Sequence, residues 1–335
     1  MNILFTCAGR RNYLLNFFKE ELKGEGLVMA ADMQLSAPAM AVADRKFIVE
    51  AVYTQGYIDS LLKICAENKV NALISLNDLE LPLLSERKED FENIGTKVIV
   101  ADMQAIDIAF DKKKTVEFAN SIGIKTPKTF TNLTKALIAL EKGELSFPLV
   151  VKPRWGSASI GLEFPTNHEE LELAHRLLSL RLSRTMLAEA SKADFNNAIL
   201  IQEKIEGIEY GVDVLNDFKG NTQQVYVKEK LAMRAGETDK SVLRNKPQIE
   251  EIGYEIGNSL RHIGNLDCDI FEKDGQYYLL ELNPRFGGGY PFTHYSGGNY
   301  VKAIISWLKG ECVDVSLFSK KYDIIIAKCD TLIRI

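Results

Sequence analysis

Oxygen-bearing side chains near the C-terminal end of the chain are spaced as a hard cation would require. Residues 268–290 have the sequence CDIFEKDGQYYLLELNPRFGGGY. Two apolar runs in this segment flank a turn at residues 273–275, which predicts a β-hairpin. The chemistry of the segment therefore depends on which side chains of the two strands share a face.

Alternation along the strands is expected to bring the polar side chains together. With a period of two, Glu281 and Asn283 project from one face, and Leu280 and Leu282 project from the other. Asp269 lies on the partner strand, where it can face the same way as Glu281. Two carboxylates and an amide oxygen form a site that suits Mg²⁺ (or Mn²⁺). The alternative is that they are solvated residues on the polar face of a sheet.

The residues after the hairpin favour the cation site over a solvated face. Pro284, Arg285 and the glycines at 287–289 follow at once. An arginine supplies a fixed cation, and a loop without side chains exposes its backbone N–H groups, both of which bind phosphate.

A loop of small residues in the middle of the chain is also suited to binding phosphate. Residues 149–151 predict a strand that Lys152 closes, and a loop follows with these small residues: Gly156, Ser157, Ser159 and Gly161. Such a loop lets backbone N–H groups approach phosphate oxygens, and between two strands it can close as a lid. The alternative is an ordinary hairpin turn. The pattern GxxxxGK[ST] is absent from the sequence, which argues against a P-loop ATPase.

Charged residues also stand at three other element ends. Asp111 and Lys112 open a helix predicted over residues 111–123, although three consecutive lysines there are typical of a solvated face. An apolar strand at 198–202 runs into Glu203, Lys204 and Ile205, and Glu209 begins the next strand. Residues 225–240 contain Lys230 and Arg234 in a charge-rich stretch that would ordinarily be a solvated loop.

In this order and approximate spacing, the segments resemble the ATP-grasp superfamily, the fold of carbamoyl phosphate synthase large subunits, biotin carboxylase and D-alanine ligases. The resemblance rests on DIF…LLELNPRFGGGYP, on PLVVKP with its small-residue loop, and on the Asp-Lys step at 111. It extends from Ile3 to about Trp307.

The resemblance implies a role for each segment. The metal ligands would be Asp269, Glu281 and Asn283, with Arg285 near the transferred phosphate. The family more often has Gln or Glu where Asp269 stands, and Asp is chemically competent but shorter. Lys230 and Arg234 would line the phosphate and acceptor site.

The resemblance also implies the contacts of ATP. Lys112 and Lys152 would reach its phosphates under the small-residue loop, with Lys113 the neighbour that a shift of one residue would choose. Backbone groups of the stretch Glu203, Lys204 and Ile205 would bind adenine, and Glu209 would hold the ribose hydroxyls. The alternative is a charged hairpin turn with an exposed Glu209.

The N-terminal third of the sequence predicts a structural scaffold rather than a catalytic motif. Strands predicted at 3–6, 26–31, 46–49, 72–75 and 97–100 alternate with helices, which indicates a parallel sheet of Rossmann type. No GxGxxG follows the first strand, which argues against a dinucleotide. Loops near Arg10, Asp32 and Asp78 would serve the variable substrate, although Arg10 can equally be solvated and Asp32 can be a loop cap.

The expected fold class is α/β and α+β. We expect a Rossmann-like domain at 1–110, a small ATP-grasp lobe bearing the lid at 111–200, and a large lobe with the Mg²⁺ site at 201–335.

Composition excludes several other classes. Apolar residues make up 46% and charged residues 26% of the 335 residues, which is typical of a globular protein. The net charge of −5 gives no case for nucleic-acid or anionic-membrane binding. Five widely spaced cysteines without a CxxC pair indicate a reduced compartment, so we expect a cytoplasmic protein.

The resemblance thus implies a ligase that uses ATP and Mg²⁺ to join a small-molecule carboxylate to an amine or another nucleophile such as a thiol, through an acylphosphate. The resemblance also implies a homodimer. The alternative is a nucleotide-binding regulatory protein that has lost catalysis.

Overall fold

Three β-sheets carry the fold of the computed structural model, which describes residues 1–156, 161–185 and 187–335. The first sheet is parallel and the other two are antiparallel. This arrangement confirms the predicted combination of α/β and α+β structure.

The first sheet occupies the N-terminal part of the chain, in the order β3-β2-β1-β4-β5. Its strands are β1 Ile3–Thr6, β2 Val28–Asp32, β3 Arg45–Ile48, β4 Ala72–Ser75 and β5 Lys97–Val98. The helices between and after them are α1 Asn12–Leu22, α2 Pro38–Val42, α3 Tyr57–Glu67, α4 Leu81–Glu86, α5 Lys88–Asn93 and α6 Met103–Phe110. Strands β1, β2 and β4 are buried along their whole length, because helices cover both faces of a parallel sheet.

A small sheet of order β6-β8-β7 follows. Its elements are α7 Lys112–Ser121, β6 Thr129–Phe130, α8 Leu133–Glu141, β7 Leu149–Pro153, α9 His168–Leu182, α10 Leu187–Ser191, a 3₁₀ helix at Lys192–Asn197, and β8 Ile199–Glu203. The domain boundary predicted at residue 200 falls inside β8, and the division into domains stays a prediction.

The third sheet has the order β13-β12-β9-β10-β11-β14. Its strands are β9 Ile208–Asn216, β10 Thr222–Arg234, β11 Glu237–Leu243, β12 Gly264–Lys273, β13 Gln276–Asn283 and β14 Ile325–Ala327. The accompanying helices are α11 Pro247–Leu260, α12 Tyr290–Tyr295, α13 Tyr300–Leu308 and a 3₁₀ helix at Val315–Leu317.

The hairpin of β12 and β13 forms where the sequence predicts it. Asp274 and Gly275 make the turn, both with positive φ angles (51° and 71°), which matches the right-handed twist of the flanking strands. This turn puts the polar residues of β12 and β13 into one register.

The cores show how the sheets are joined. One apolar cluster combines Leu4 and Leu73 of the first sheet with Val212 and Cys268 of the third. A second cluster joins Phe5 to Tyr226 and Tyr300. The small sheet packs around its own cluster, which reaches the first sheet's segment through Leu79. The first and third sheets therefore form a common base, and the small sheet stands beside it.

Among the described residues, no helix has the length and apolar content needed to cross a membrane.

Candidate active site

A cavity of about 690 Å³ opens where the small sheet faces the third sheet and the N-terminal loops. Most of the predicted site residues line it, namely Lys112, Lys152, Gly156, Glu203, Lys204, Ile205, Glu209, Lys230, Asp269, Glu281, Asn283 and Arg285. Ser157 and Ser159 lie outside the described residues. The structure therefore brings together side chains that are up to about half the chain apart.

Strand pairing sets the oxygen atoms of the hairpin side by side. Asp269 pairs with Glu281 and Asp267 pairs with Asn283 across β12 and β13. All four residues line the cavity. Asp267 is a site residue that the sequence analysis missed, although its position two residues before Asp269 places it on the same strand face.

Leu280 lies differently from the prediction. The register shifts after Asp269, so that Ile270 pairs with Leu279 and Leu280 is an extra residue in a β-bulge. Leu279 and Leu282 join the core, whereas Leu280 lines the cavity beside Glu281. The prediction that Leu280 projects from the opposite face was wrong, because simple alternation does not hold across a bulge.

Two lysines approach the carboxylates. The Lys230 Nζ atom lies 2.6 Å from Asp269 Oδ1 and 2.6 Å from Glu209 Oε1. The Lys112 Nζ atom lies 3.7 Å from Glu281 Oε1. Burial opposes the charge of Lys230, but Asp269 and Glu209 outweigh it and raise its pKa above the ordinary value. These carboxylate oxygens thus already bind positively charged groups in the ligand-free protein.

The donor set fits a magnesium ion that shares its ligands with phosphate. In the described ranges, no group of three or more His, Cys, Asp or Glu side chains is close enough to hold a metal alone. Mg²⁺ is usually held by one or two carboxylates with substrate phosphates and water, which matches Asp269, Glu281 and Asn283. Burial, and next the nearby Glu209 and Glu281, raise the pKa of Asp269 against the opposing charge of Lys230. A divalent cation would relieve this crowding of carboxylates.

Lys152 faces the cavity, and its side chain has no partner among the residues that the structure describes. Its side chain is buried, and it forms no hydrogen bond or ion pair with any residue that the structure describes. Burial lowers the pKa of Lys152 to about 8, and the charge of Lys112 lowers it further while Glu281 and Asp269 oppose the shift. A buried ammonium in this setting favours an anionic ligand such as phosphate.

Arg154 fixes the positions of Lys112 and Lys152 relative to each other. Its Nε and Nη2 atoms donate to Asp111 at 2.7 and 2.6 Å, and its Nη1 atom donates to Asp194 at 2.7 Å. Asp111 also caps α7, the helix that begins with Lys112, by accepting from the Lys113 N–H. Arg154 follows Lys152 by two residues, so one bidentate ion pair ties both lysine-bearing segments together. The sequence analysis did not assign this role.

Arg285 is held by carboxylates from two sheets. Its Nε and Nη2 atoms donate to Asp78 Oδ2 at 3.1 and 2.8 Å, and its Nη1 atom donates to Asp267 Oδ2 at 3.3 Å. Burial opposes its charge, but Asp78 and Asp267 raise its pKa above the ordinary value. Burial and the charges of Asp269 and Asp213 raise the pKa of Asp267 to about 6. Asp78, predicted near the variable substrate, lines the cavity and contacts Arg285.

The end of β8 forms the opposite side of the cavity. Within the described residues, the backbone N–H groups of Lys204 and Ile205 make no hydrogen bond. Apolar side chains that line the same cavity include Val150, Phe164 and Phe271. This slot, with free backbone groups at its edge, has the character expected of a purine site.

Among the described residues, two that were predicted for the nucleotide and phosphate site, Arg234 and Gly161, do not line the cavity. Arg234 is 47% exposed, and its side chain pairs with Asp239 at 3.0 Å and Asp330 at 2.7 Å. The preceding residue, Met233, lines the cavity, so alternation turns Arg234 outward. Its assignment to the phosphate and acceptor site is corrected accordingly.

Gly161 also packs away from the cavity. It has a φ of +70°, and a Cβ atom built there would lie 2.7 Å from Leu178 Cδ1 of α9. Glycine is therefore favoured by the backbone conformation, whereas the end of the Leu178 side chain can move aside. The predicted contact of Gly161 with phosphate is corrected because Gly161 does not line the cavity.

Charged residues also stand at the N-terminal edge of the cavity. Arg11 lines it, donates to the Phe286 carbonyl and lies 3.5 Å from Glu237. Arg10 is exposed. Asp32 accepts from the Gly9 N–H at 2.9 Å and the Gln34 N–H at 3.0 Å, so it caps its loop.

Family comparisons match two segments of the chain. The family described as "ATP-grasp domain" matches residues 109–289, and "PylC-like, N-terminal domain" matches residues 3–99. The first match alone covers more than half of the chain and includes every residue predicted to bind ATP or the metal, together with Lys230, Arg234 and Arg285.

Curated relatives include the carbamoyl phosphate synthase large chain of Myxococcus xanthus, which is 25% identical over 274 residues, or 75% of this chain and 24% of the relative. The corresponding protein of Thermotoga petrophila is 24% identical over 250 residues, 70% of this chain and 21% of the relative. The chain thus spans about a quarter of the length of the curated relatives it matches.

Solved structures share the fold at low identity. The biotin carboxylase domain dimer of Hydrogenobacter thermophilus 2-oxoglutarate carboxylase, in complex with MgADP, ADP and bicarbonate, has a TM-score of 0.73 at 17% identity, covering 97% of this chain and 73% of that chain. The L-amino acid ligase of Bacillus licheniformis has a TM-score of 0.66 at 18% identity, covering 92% and 74%.

Proposed function

This chain belongs to the ATP-grasp family, and on that basis we propose that it is an ATP-dependent ligase that joins a carboxylate to an amine or a thiol. The reaction passes through an acylphosphate and releases ADP and phosphate. Small molecules are the proposed substrates, in a cytoplasmic biosynthetic role. A homodimer is a further proposal, in line with the dimer named for the H. thermophilus domain.

The observation that carries the proposal is the meeting of opposite charges in one cavity. Lys152, whose side chain has no partner among the described residues, lies on the small sheet, and Lys112 begins α7 with its Nζ atom 3.7 Å from Glu281. Asp269 and Glu281 lie on the hairpin, with Arg285 close by. An anionic phosphate chain needs lysines along its length and divalent cations at the transferred group, and both sets of groups are available here.

Each residue has a task in binding ATP. The slot beside Ile205 takes adenine, and Lys112 and Lys152 neutralise the phosphates. Glu209 holds the ribose hydroxyls once Lys230 releases it for the phosphate. Asp269, Glu281 and Asn283 would hold Mg²⁺ (or Mn²⁺), which when bound neutralises charge on the phosphate oxygens. Gly156 borders the phosphate region, and Ser157 and Ser159 are proposed for the same loop.

The chemistry needs no acid or base from the cavity in its first step. A carboxylate oxygen of the substrate attacks the γ-phosphorus of ATP, a new O–P bond forms, and the bond to the β-phosphate oxygen breaks to release ADP. Arg285 stabilises the charge on the transferred group, because Asp78 and Asp267 hold its guanidinium in place. The amine or thiol then attacks the acyl carbon, the bond from this carbon to the phosphate oxygen breaks, and phosphate leaves and takes up the proton that the nucleophile loses.

Release of ADP tests the proposal. The full chain is mixed with Mg·ATP and a panel of carboxylates paired with amines and thiols, and hydroxylamine traps any acylphosphate as a hydroxamate. We expect carboxylate-dependent ADP release and hydroxamate formation, and we expect Glu281→Gln to lower the rate by about 100-fold or more.

Two results would count against the proposal. Binding of Mg·ADP without ADP release under any pair of substrates would favour the regulatory alternative. Thermal stabilisation by NAD but not by Mg·ADP would reject the nucleotide assignment altogether.

A further inference from the structure

Arg11 lines the cavity, and the proposed function gives it no role. Among the residues that the structure describes, three cations of the cavity wall form no hydrogen bond with a carboxylate, namely Arg11, Lys112 and Lys152. The two lysines are proposed for the phosphates of ATP. Arg11 immediately precedes α1 in the N-terminal part of the chain, and its side chain is 15% exposed. It is therefore a partly buried cation of the cavity to which no anion has been assigned.

Most N–H groups of the Arg11 guanidinium have no acceptor. A guanidinium carries five N–H donors. The Nη1 atom donates to the carbonyl oxygen of Phe286, and the Nη2 atom lies 3.5 Å from Glu237 Oε1, beyond the usual length of a charged hydrogen bond. Within the described ranges, this side chain forms no other hydrogen bond. A partly buried cation with unused donors favours an anionic ligand.

Glu237 does not depend on Arg11 for its partner. The Lys328 Nζ atom donates to Glu237 Oε2 at 3.1 Å. This ion pair keeps the carboxylate of Glu237 neutralised when Arg11 turns to a ligand. Glu237 therefore competes weakly with a ligand for Arg11 instead of fixing the guanidinium in place.

Phe286 places Arg11 beside Arg285. The Arg285 Nη1 atom lies 3.4 Å from the same carbonyl oxygen of Phe286 that accepts from Arg11. Two donors that share one oxygen lie no more than about 6 Å apart. Arg285 is proposed for the transferred phosphoryl group, which becomes bonded to the substrate carboxylate. Arg11 thus lies next to the carboxylate substrate.

We propose that Arg11 binds a second carboxylate of the substrate that is phosphorylated, so that this substrate is a short dicarboxylate activated at one end. The inference rests on the proposed function, since it takes Arg285 to mark the transferred phosphoryl group. One carboxylate attacks the γ-phosphorus and ADP leaves, while the other carboxylate keeps its charge on Arg11. The forked guanidinium suits this contact, because it donates two parallel N–H groups to a carboxylate. The closeness of the two arginines limits the substrate to a few carbon atoms between its carboxyl groups.

Binding of dicarboxylates to the full chain tests the inference. The probes are the aliphatic dicarboxylates from malonate to adipate and the monomethyl ester of each, titrated by calorimetry in the presence of Mg·ADP. At least one dicarboxylate should bind about 10- to 100-fold more tightly than its ester. Arg11→Gln should remove this preference by weakening the dicarboxylate alone. Arg45→Gln, which removes an exposed cation of β3, is the control and should retain the preference.

Glu237→Gln supplies an arm with the opposite sign. Arg11 then loses the only carboxylate that the structure places near it among the described residues. The affinity for the preferred dicarboxylate should rise by about three- to fivefold. A defect of folding would not raise the affinity, and a fall would contradict the inference because Glu237 would then support the ligand itself.

Hydroxylamine separates the dicarboxylate from the second substrate. With hydroxylamine as the nucleophile, the KM for the dicarboxylate should rise by about 10- to 100-fold in Arg11→Gln, with little change in the KM for ATP. A raised KM for ATP with an unchanged preference for the dicarboxylate would assign Arg11 to phosphate and overturn the inference.

The remaining outcomes separate this inference from the ligase proposal. If no dicarboxylate binds more tightly than its ester, or if the preference survives in Arg11→Gln, the dicarboxylate site is rejected, and release of ADP with monocarboxylates would leave the ligase proposal standing. If the preference is found as predicted but no ADP is released from ATP, the ligase proposal fails and the dicarboxylate site stands.

Discussion

At the scale of single residues, the pKa of Lys152 predicts how the affinity for Mg·ADP changes with pH. Its pKa is lowered to about 8 by burial, so above that pH the ammonium loses its proton in the ligand-free protein. Phosphate binding requires the charged form, and the affinity for Mg·ADP should fall by up to about tenfold per pH unit above pH 8. The measurement is the dissociation constant between pH 7 and 9.5. Lys152→Arg stays charged throughout and should show a flatter profile, so the same slope in both proteins would contradict the assignment.

The ion pair between Asp78 and Arg285 makes a second residue-scale prediction. The two side chains are 8% and 9% exposed and meet at 2.8 Å. Asp78→Asn should lower kcat by about 10- to 100-fold with little change in the KM for ATP, because Arg285 loses its anchor but the lysines remain.

A double-mutant cycle separates positioning from folding. If Asp78 acts through Arg285, adding Asp78→Asn to Arg285→Lys should cost much less than Asp78→Asn alone. Asp102→Asn is the control, since the side chain of Asp102 is 88% exposed. Additive losses in the cycle would mean that Asp78 acts independently of Arg285.

At the scale of elements, the glycine run before α12 shows why the hairpin is followed by residues without side chains. A Cβ atom on Gly287 would lie 2.1 Å from Asp267 Oδ2, whereas one on Gly289 would come no closer than 3.4 Å to the Lys228 Nζ atom. Gly287→Ala should therefore lower the free energy of unfolding by about 1–3 kcal/mol, while Gly289→Ala should change it by less than about 0.5 kcal/mol. Urea denaturation of both variants measures the difference, and equal stability would show that Asp267 moves aside without cost.

Elements could be predicted from the sequence where their signals are local. The β12–β13 hairpin follows from alternation and from the turn at Asp274 and Gly275, and the site residues on it followed at once. The bulge at Leu280 and the outward orientation of the Arg234 side chain could not be predicted from the sequence. Both depend on the register in which neighbouring strands pair, and the sequence of one strand does not encode that register. Asp78 meets Arg285 across 207 residues of sequence, a contact that only the packing of two sheets creates.

The shared core of the first and third sheets makes a prediction for the whole molecule. His262 precedes β12, is fully buried, and its Nε2 atom lies 3.1 Å from the Val214 carbonyl oxygen, to which its N–H donates. Burial lowers its pKa to about 4, against an unfolded value of about 6.5. Between these values the unfolded chain binds more protons than the folded protein, so stability is lost as the pH falls from 6.5 to 4.

Asp267 acts in the opposite direction over part of this range. Its folded pKa of about 6 exceeds the unfolded value, so protonation of Asp267 adds stability as the pH falls below 6. The difference between wild-type protein and His262→Gln cancels this contribution and isolates the histidine. We expect the stability difference between the two proteins to shrink by roughly 3 kcal/mol as the pH falls from 7 to 4, because only the wild-type protein must charge a buried imidazole. Urea denaturation at each pH gives the two curves, and parallel curves would mean that His262 is protonated in the folded protein without cost.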